Sequence, residues 1–245
     1  MTTESFLAAL ERFVSRRGLP NTIYSDNGSI FIGASNVLSH SQKLLNFANL
    51  NSIRWRFIAP RSPHQGGIWE AAVKAGKACL LKAIGNQTLN FSEFNTVLSK
   101  VEAILNSRPI SYRNVNQDLE PLTPGHFLVG GSLLETPISD DHSIKLNSRF
   151  RLWRNIVDSF WQSWRHDYLN QLQTRFKWKE KFPNLKVDDV VLVNSPNERS
   201  MYWPLGRIIE VFPDKEGVVR NVMVKTKDGI FKRAVQKLVL LPVND

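Results

Sequence analysis

After Pro183 this chain changes character, from mostly helical to strand-like patterning, and that change limits the folds open to it. Upstream, apolar residues recur mostly at helical spacing, longest in "RLWRNIVDSFWQSWRHDYLNQLQTRFKWK" (151–179). Downstream lie "DVVLVNS", "WPLGRIIEVF", "VVRNVMVKTK", "GIFKRAV" and "KLVLLP", five short strand candidates parted by turn signals such as Asp228-Gly229. Strands this short and this close together, within 183–245, predict a small all-β barrel.

The front part alternates helix and strand. Phe6, Leu7, Leu10, Phe13 and Val14 form one helical stripe, with Thr2 or Thr3 as cap and "RRGLP" as the stop. A short strand "NTIYS" runs to Asp26, a helix is expected over 35–51, and "SIRWRFI" (52–58) alternates like a half-buried strand. Helices follow over 68–84 and from Ser92 to Pro109, the second started by an Asn90/Glu93 capping box. Residues 110–147 read as an irregular connector rich in Pro, Gly and Ser. The division expected is 1–110, a core; 111–182, connector and aromatic helix; 183–245, barrel. The class is α/β followed by all-β.

The single cysteine, Cys79, excludes an internal disulfide and a cysteine-based zinc cluster, and the five histidines lack ligand spacing. No apolar run is long enough to span a bilayer, and "MTTESFLAALERF" lacks a signal-peptide layout, so an intracellular, soluble protein without membrane partners is expected.

The net charge of +10 is uneven. Residues 1–140 hold 13 Lys+Arg against 10 Asp+Glu, and 141–245 hold 19 against 12, giving +3 and +7. A basic second half suits a polyanion. In the barrel Arg207, Arg220, Lys225, Lys227, Lys232, Arg233 and Lys237 alternate with apolar positions, as on an outward strand face that could meet DNA phosphates or only water. Tyr202, Trp203 and Phe212 read as barrel core or as the wall of an aromatic pocket. In 151–179 the aromatics Trp153, Phe160, Trp161, Trp164, Tyr168, Phe176 and Trp178 fall mainly on one helical stripe, which reads as packing against the core or a partner subunit, or as stacking on bases. Arg149, Arg151, Arg154, Arg165, Arg175, Lys177, Lys179 and Lys181 are then solvated, some of them placed to meet phosphates.

Two carboxylates stand out. Asp26 ends a strand within "YSDNGSIF", where Asn27-Gly28 turns the chain at once; a plain turn accounts for the motif as well as a metal site does. Glu70 opens a helix, with Lys74 and Lys77 on its face: an ordinary surface ion pair, or an acid for a metal and ammonium groups for phosphates.

Taken in order, "LAALERFVSRRGLP", "YSDNGSIF", "WRFIAPRSPHQGGIWEAAVK", "VEAILNSRPI", "LTPGHFLVGG", "RFKWK", "WPLGRIIEVFPDKEGVVRNVMVKT" and "KRAVQKLVLLP" resemble the Asp-Asp-Glu integrases of retroviruses and LTR retrotransposons, most of all the BEL/Pao class. The resemblance runs along essentially the whole chain. It implies an RNase H-like core, here lacking its first strands, then a helical connector and an SH3-like barrel that binds DNA. It implies that Asp26 and Glu70 are metal ligands for a pair of Mg²⁺ (or Mn²⁺) ions about 3.5–4 Å apart, which drive in-line attack on a phosphodiester. Asn27, Pro63, His64 and Gly67 match the loops around those acids, and Lys74 and Lys77 match basic positions facing the element's DNA end. Arg207, Lys225, Lys232 and Arg233 are the barrel cations assigned to DNA. DNA and a homo-oligomeric assembly are the implied partners, with no small-molecule substrate, and the nucleus is the implied location.

The pattern departs from the family at one place. Its first acid lies on a strand upstream of the opening helix, but before Asp26 the carboxylates are Glu4 and Glu11. The chain therefore reads as an integrase opened at its first helix, with apolar sheet edges exposed and catalysis lost, or as a DNA- or chromatin-binding remnant. The expected outcome is that the purified chain shows no Mg²⁺-dependent strand joining. Joining that disappears in Asp26→Asn would overturn this.

Overall fold

Thr2 starts α1 (Thr3–Arg17) with a capping box: its Oγ1 accepts from the Ser5 N–H, and Ser5 Oγ accepts from the Thr2 N–H. Gly18, at φ +82°, ends the helix and donates its N–H to Val14 O; a left-handed region of this kind favours glycine. This computed structural model describes residues 2–44, 53–59, 67–115, 118–136, 147–173, 184–195 and 198–242, with the backbone alone at 42–44 and 67–70. They divide into a unit over 1–75 and a unit over 76–245.

In the first unit, β1 (Thr22–Ser25), α2 (Ser29–Leu44) and β2 (Arg54–Phe57) form a β-α-β unit whose strands pair in parallel, Ile23 opposite Trp55. Phe6 of α1 meets the Phe31 ring edge-on at 5.1 Å and the Trp55 ring at 5.8 Å. The helix expected from residue 35 begins at Ser29 instead, because Gly28 O accepts the Phe31 and Ile32 N–H groups. Gly33 lies inside it because α1 passes so close: a Cβ there would sit 2.6 Å from Thr3 Oγ1. The part of the expected helix beyond 44 lies outside the described residues. Packing here is thin. Among the described residues of this unit, Ala34 is the one fully enclosed apolar side chain, while Tyr24 and Phe57 on the two strands are exposed.

α3 (Gly67–Ile84) runs on into the second unit. There α4 (Phe91–Asn106) starts with the expected capping box: Asn90 Oδ1 accepts from the Glu93 N–H, and Glu93 Oε2 accepts from the Asn90 N–H. The stretch read as irregular contains a hairpin, β3 (Ser111–Val115) with β4 (Asp118–Leu122), and the short helix α5 (Pro124–Val129). Its local pattern is weak because distant residues hold it: Ser111 Oγ donates to Pro242 O. His126 folds back on α5, its Nδ1 accepting from the Thr123 N–H.

α6 (Ser148–Leu172) is the longest helix described, and β5 (Val190–Val193), β6 (Leu205–Pro213), β7 (Val219–Thr226), β8 (Gly229–Ala234) and β9 (Leu238–Leu240) correspond to the five expected strands. They form a curled antiparallel half-barrel in the order β8-β7-β6-β5-β9. β5 is apolar without alternation because it is covered on both faces. Val191 and Val193 join Ile208, Val222 and Val224 inside the curl, whereas Leu192 faces Trp203, Leu205 and Val239 in the core shared with α4 and α6.

That second core includes Phe160, Trp161, Trp164 and Leu169, so the aromatic stripe packs, as one of its readings required. Trp203 is its hub, with ring centroids 5.0 Å from Trp161, 6.1 Å from Trp164 and 5.7 Å from Tyr168. Truncating a ring enclosed like Trp161 costs about 3–5 kcal/mol. Tyr168 donates its hydroxyl to Pro109 O, and burial pushes its phenol up to about 12. Phe176 and Trp178 lie outside the described residues.

Of the cations expected in solvent, Arg165 is buried, only 5% exposed, while Arg149 stays exposed but makes a two-pronged ion pair with Glu93 that joins the starts of α4 and α6. Glu93 holds its proton less tightly than a free glutamate, first because Arg149 donates to it and then because of the Asn90 N–H. A carboxylate depressed in the folded state stabilises above its unfolded value of about 4.3 and loses that contribution as pH falls through the folded value. Acid unfolding followed by circular dichroism below about pH 4 should therefore weaken its pH dependence in Glu93→Gln. An unchanged acid limb would remove this pair from the account.

Candidate functional site

Backbone hydrogen bonds hold the Asp26 turn. Asp26 is exposed just beyond β1, and its Oδ1 accepts from the Gly28 N–H at 2.8 Å, an Asx turn that leads into α2. Asn27 Nδ2 reaches across the strand pair to Ile58 O at 2.8 Å. Behind them Trp55 Nε1 donates to Ser25 Oγ, which donates to Asp26 O. The carboxylate thus stands at the carboxyl end of a parallel strand pair, held through one oxygen, with a Cβ at Gly28 excluded by a 2.9 Å approach to that same oxygen.

Gly67 is the first residue of α3 and Glu70 stands in its first turn; the Glu70 side chain, Pro63 and His64 lie outside the described residues. Lys74 and Lys77 are both exposed on α3. A pair of magnesium ions needs several oxygen donors. Among the described residues no three His, Cys, Asp or Glu side chains gather into a group that could hold an ion. The described donors by themselves do not make up such a set.

On the half-barrel, strand register sorts the expected DNA cations. Arg207 pairs with Lys225, and Met223 with Lys232, so Arg207, Lys225 and Lys232 share the outer face. Arg233 pairs with Val222 and lies on the opposite face, its guanidinium 5.0 Å from the Phe231 ring. Lys232 sits 4.5 Å above Phe212. That contact joins two residues that the sequence reading had put in separate roles. At the other end of the face, Arg207, Lys225 and Lys227 share a cleft of about 440 Å³ with Asp118, Glu120 and Asp228. Glu120 is already paired with Arg113, so Asp118 and Asp228 are the acids left facing Arg207, Lys225 and Lys227, and the face stays positive overall.

Of the three aromatic-pocket candidates, Tyr202 and Trp203 border the cleft of about 440 Å³, Trp203 largely buried with its Nε1 donating to Ser107 Oγ at 3.3 Å, whereas Phe212 lies apart from it under Lys232. The sequence reading also missed Arg165, whose position on the buried stripe of α6 was the available signal.

Residues 148–241 match the model of a family of unknown function (DUF5641). No curated protein sequence matches the chain. Over its whole length it is similar, at TM-score 0.36 and 14% identity, to a chain of the cryo-EM structure of the simian T-cell lymphotropic virus intasome in complex with PP2A regulatory subunit B56 gamma. It spans 66% of that chain's length. No described helix is long and apolar enough to cross a membrane.

The Asn27 bond closes the turn, so Asn27→Ala should lower stability to urea by about 0.5–1.5 kcal/mol. It should also speed hydrogen exchange at the Gly28 amide. No change in either would show that the turn stands on the Asp26 Asx bond alone.

Proposed function

We propose that this chain is a nucleic-acid-binding part of an integrase-related retroelement protein of the BEL/Pao kind, whose ancestral activity is DNA integration. The observation that carries the reading is the outer face of the half-barrel. Three strands bring Arg207, Lys225 and Lys232 to one side of the sheet, and the half of the chain that contains them has an excess of seven positive charges. Strand backbones hold these cations at fixed spacing, which suits a regular row of phosphates, and the contact carries no base sequence.

The front part supports the same ancestry. The ordered motifs place Asp26 directly after the first strand of a parallel β-α-β unit, and Glu70 in the opening turn of a later helix. In this reading those acids, with Asn27, Pro63, His64 and Gly67, descend from an RNase H-like metal site for Mg²⁺ or Mn²⁺. Lys74 and Lys77 descend from its DNA-facing helix, and the half-barrel is SH3-like. Asp26 and Glu70 are the two acids of that site carried by this sequence, and nucleic-acid binding is the activity proposed for the chain. The assembly is homo-oligomeric and acts in the nucleus.

Duplex DNA of random sequence, titrated between 50 and 200 mM salt, tests the binding. Each phosphate neutralised contributes about 0.9 to the slope of log K against log salt. The triple variant Arg207→Gln, Lys225→Gln, Lys232→Gln should lose about 2–3 from the wild-type slope. Asp26→Asn should change nothing. A flat salt response of the wild-type chain would overturn the reading.

A further inference from the structure

A second cavity, of about 700 Å³, opens between α3, α6 and the β5 and β9 ends of the half-barrel, away from the cleft described above. Its walls carry Lys82 from α3, Arg165 and His166 from α6, and Lys237 from the turn before β9. The single carboxylate in the wall, Asp167, is engaged by the Cys79 thiol, with Sγ and Oδ2 3.7 Å apart. Lys82, Arg165 and Lys237 against Asp167 leave a formal excess of two positive charges, before any contribution from His166.

Arg165 makes this more than a basic surface. Its side chain is 95% enclosed, the guanidinium lying 6.0 Å from the Trp161 ring and 5.9 Å from the Trp203 ring. Nη1 donates to Ser195 O at 3.0 Å and reaches Asn194 Oδ1 at 3.5 Å, but Nε is buried with no hydrogen-bond partner. No ion pair to Arg165 forms among the described residues. Glu198 attracts it from farther off, and burial outweighs that attraction, pulling the guanidinium below its ordinary basicity. A buried charge without an ionic partner is costly. Aromatic rings, the Ser195 carbonyl and the Asn194 side-chain oxygen offset part of that cost, and an anion in the cavity would offset more.

We infer that this cavity is a phosphate-binding site, in which Arg165 is the fixed anchor and Lys82 and Lys237 close on the anion from opposite walls. Arg165 is held rigidly by the tryptophans, so binding orders only two exposed lysines. The polar walls, with Asn194, Ser195 and Gln162, suit a hydrated oxyanion rather than an apolar ligand. The phosphate belongs either to a nucleic-acid backbone or to a free phosphate compound; the chemistry of recognition is shared. This inference does not rest on the outer-face reading, since none of its residues lies on that face.

The test is calorimetric titration of the whole chain with inorganic phosphate and with pyrophosphate at constant ionic strength, followed by competition with a short oligonucleotide. Saturable binding with one anion per chain is expected. Lys82→Gln with Lys237→Gln, both exposed and harmless to folding, should weaken it about tenfold or more. Arg165→Met, which keeps the packed volume and removes the buried charge, should abolish it. The triple variant of the outer face should bind phosphate as the wild type does. Competition by oligonucleotide identifies the backbone as the source, and its absence identifies a free phosphate compound. No saturable binding of either anion, or equal affinity in the Lys82/Lys237 double variant, would overturn the site. Either result leaves the salt-dependent DNA test of the outer face undisturbed.

Discussion

Trp203 is the contact on which the second unit depends. It arrives from the loop before β6, and its ring is enclosed by Trp161, Trp164 and Tyr168 of α6, so one residue joins the long helix to the half-barrel. The interlock fixes the rotation of α6, and with it the fate of each residue on that stripe. Positions 161, 164, 165, 168 and 169 fall on one helical face, so docking the two tryptophans carries Arg165 inward with them. Its burial is a consequence of aromatic packing. Evolution could have placed an apolar residue there at little cost to stability. An arginine in that position therefore calls for a ligand or a partner, and the cavity beside it supplies room for one.

The two units differ in what holds them together. Behind α6 and the half-barrel lie two apolar cores, one on each side of β5. Among its described residues the first unit has little enclosed apolar area, and its Asp26 turn is held by hydrogen bonds to Gly28, Ile58 and Ser25. Each of these bonds is local and satisfies a group that would otherwise need another partner. The shape of "YSDNGSIF" is therefore accounted for by its own hydrogen bonds, whether or not a metal binds there.

Charge on that face is less uniform than its composition implies. Arg207, Lys225 and Lys227 share a cleft with acids from β4 and the β7–β8 turn, Lys232 is seated on Phe212, and Arg233 points to the other side of the sheet. A count of lysines and arginines overstates the potential available to a phosphate backbone. Strand register and neighbouring carboxylates decide which of those cations act together.

Short-range features of the fold were legible in the sequence. The Asn90/Glu93 box, the Thr2 cap, the Gly18 stop and the Asp228-Gly229 turn are settled within a few residues, where one side chain meets a backbone group that is always nearby. The five strands were visible because short apolar segments between turn residues have few alternatives to pairing. Other features depended on residues far apart in the chain. The hairpin of β3 and β4 carries little pattern of its own, and Ser111 is held by Pro242. The α2 start needed the backbone at Gly28, and Gly33 needed the close passage of α1. By itself the sequence determined most of the helices, the strand pair of the front part, the five strands of the half-barrel, the basic second half and the motif order, all fixed by local chemistry. Only the tertiary structure decided that Arg149 is paired, that Arg165 is buried, and that Lys232 is seated on Phe212, because each depends on which surfaces meet.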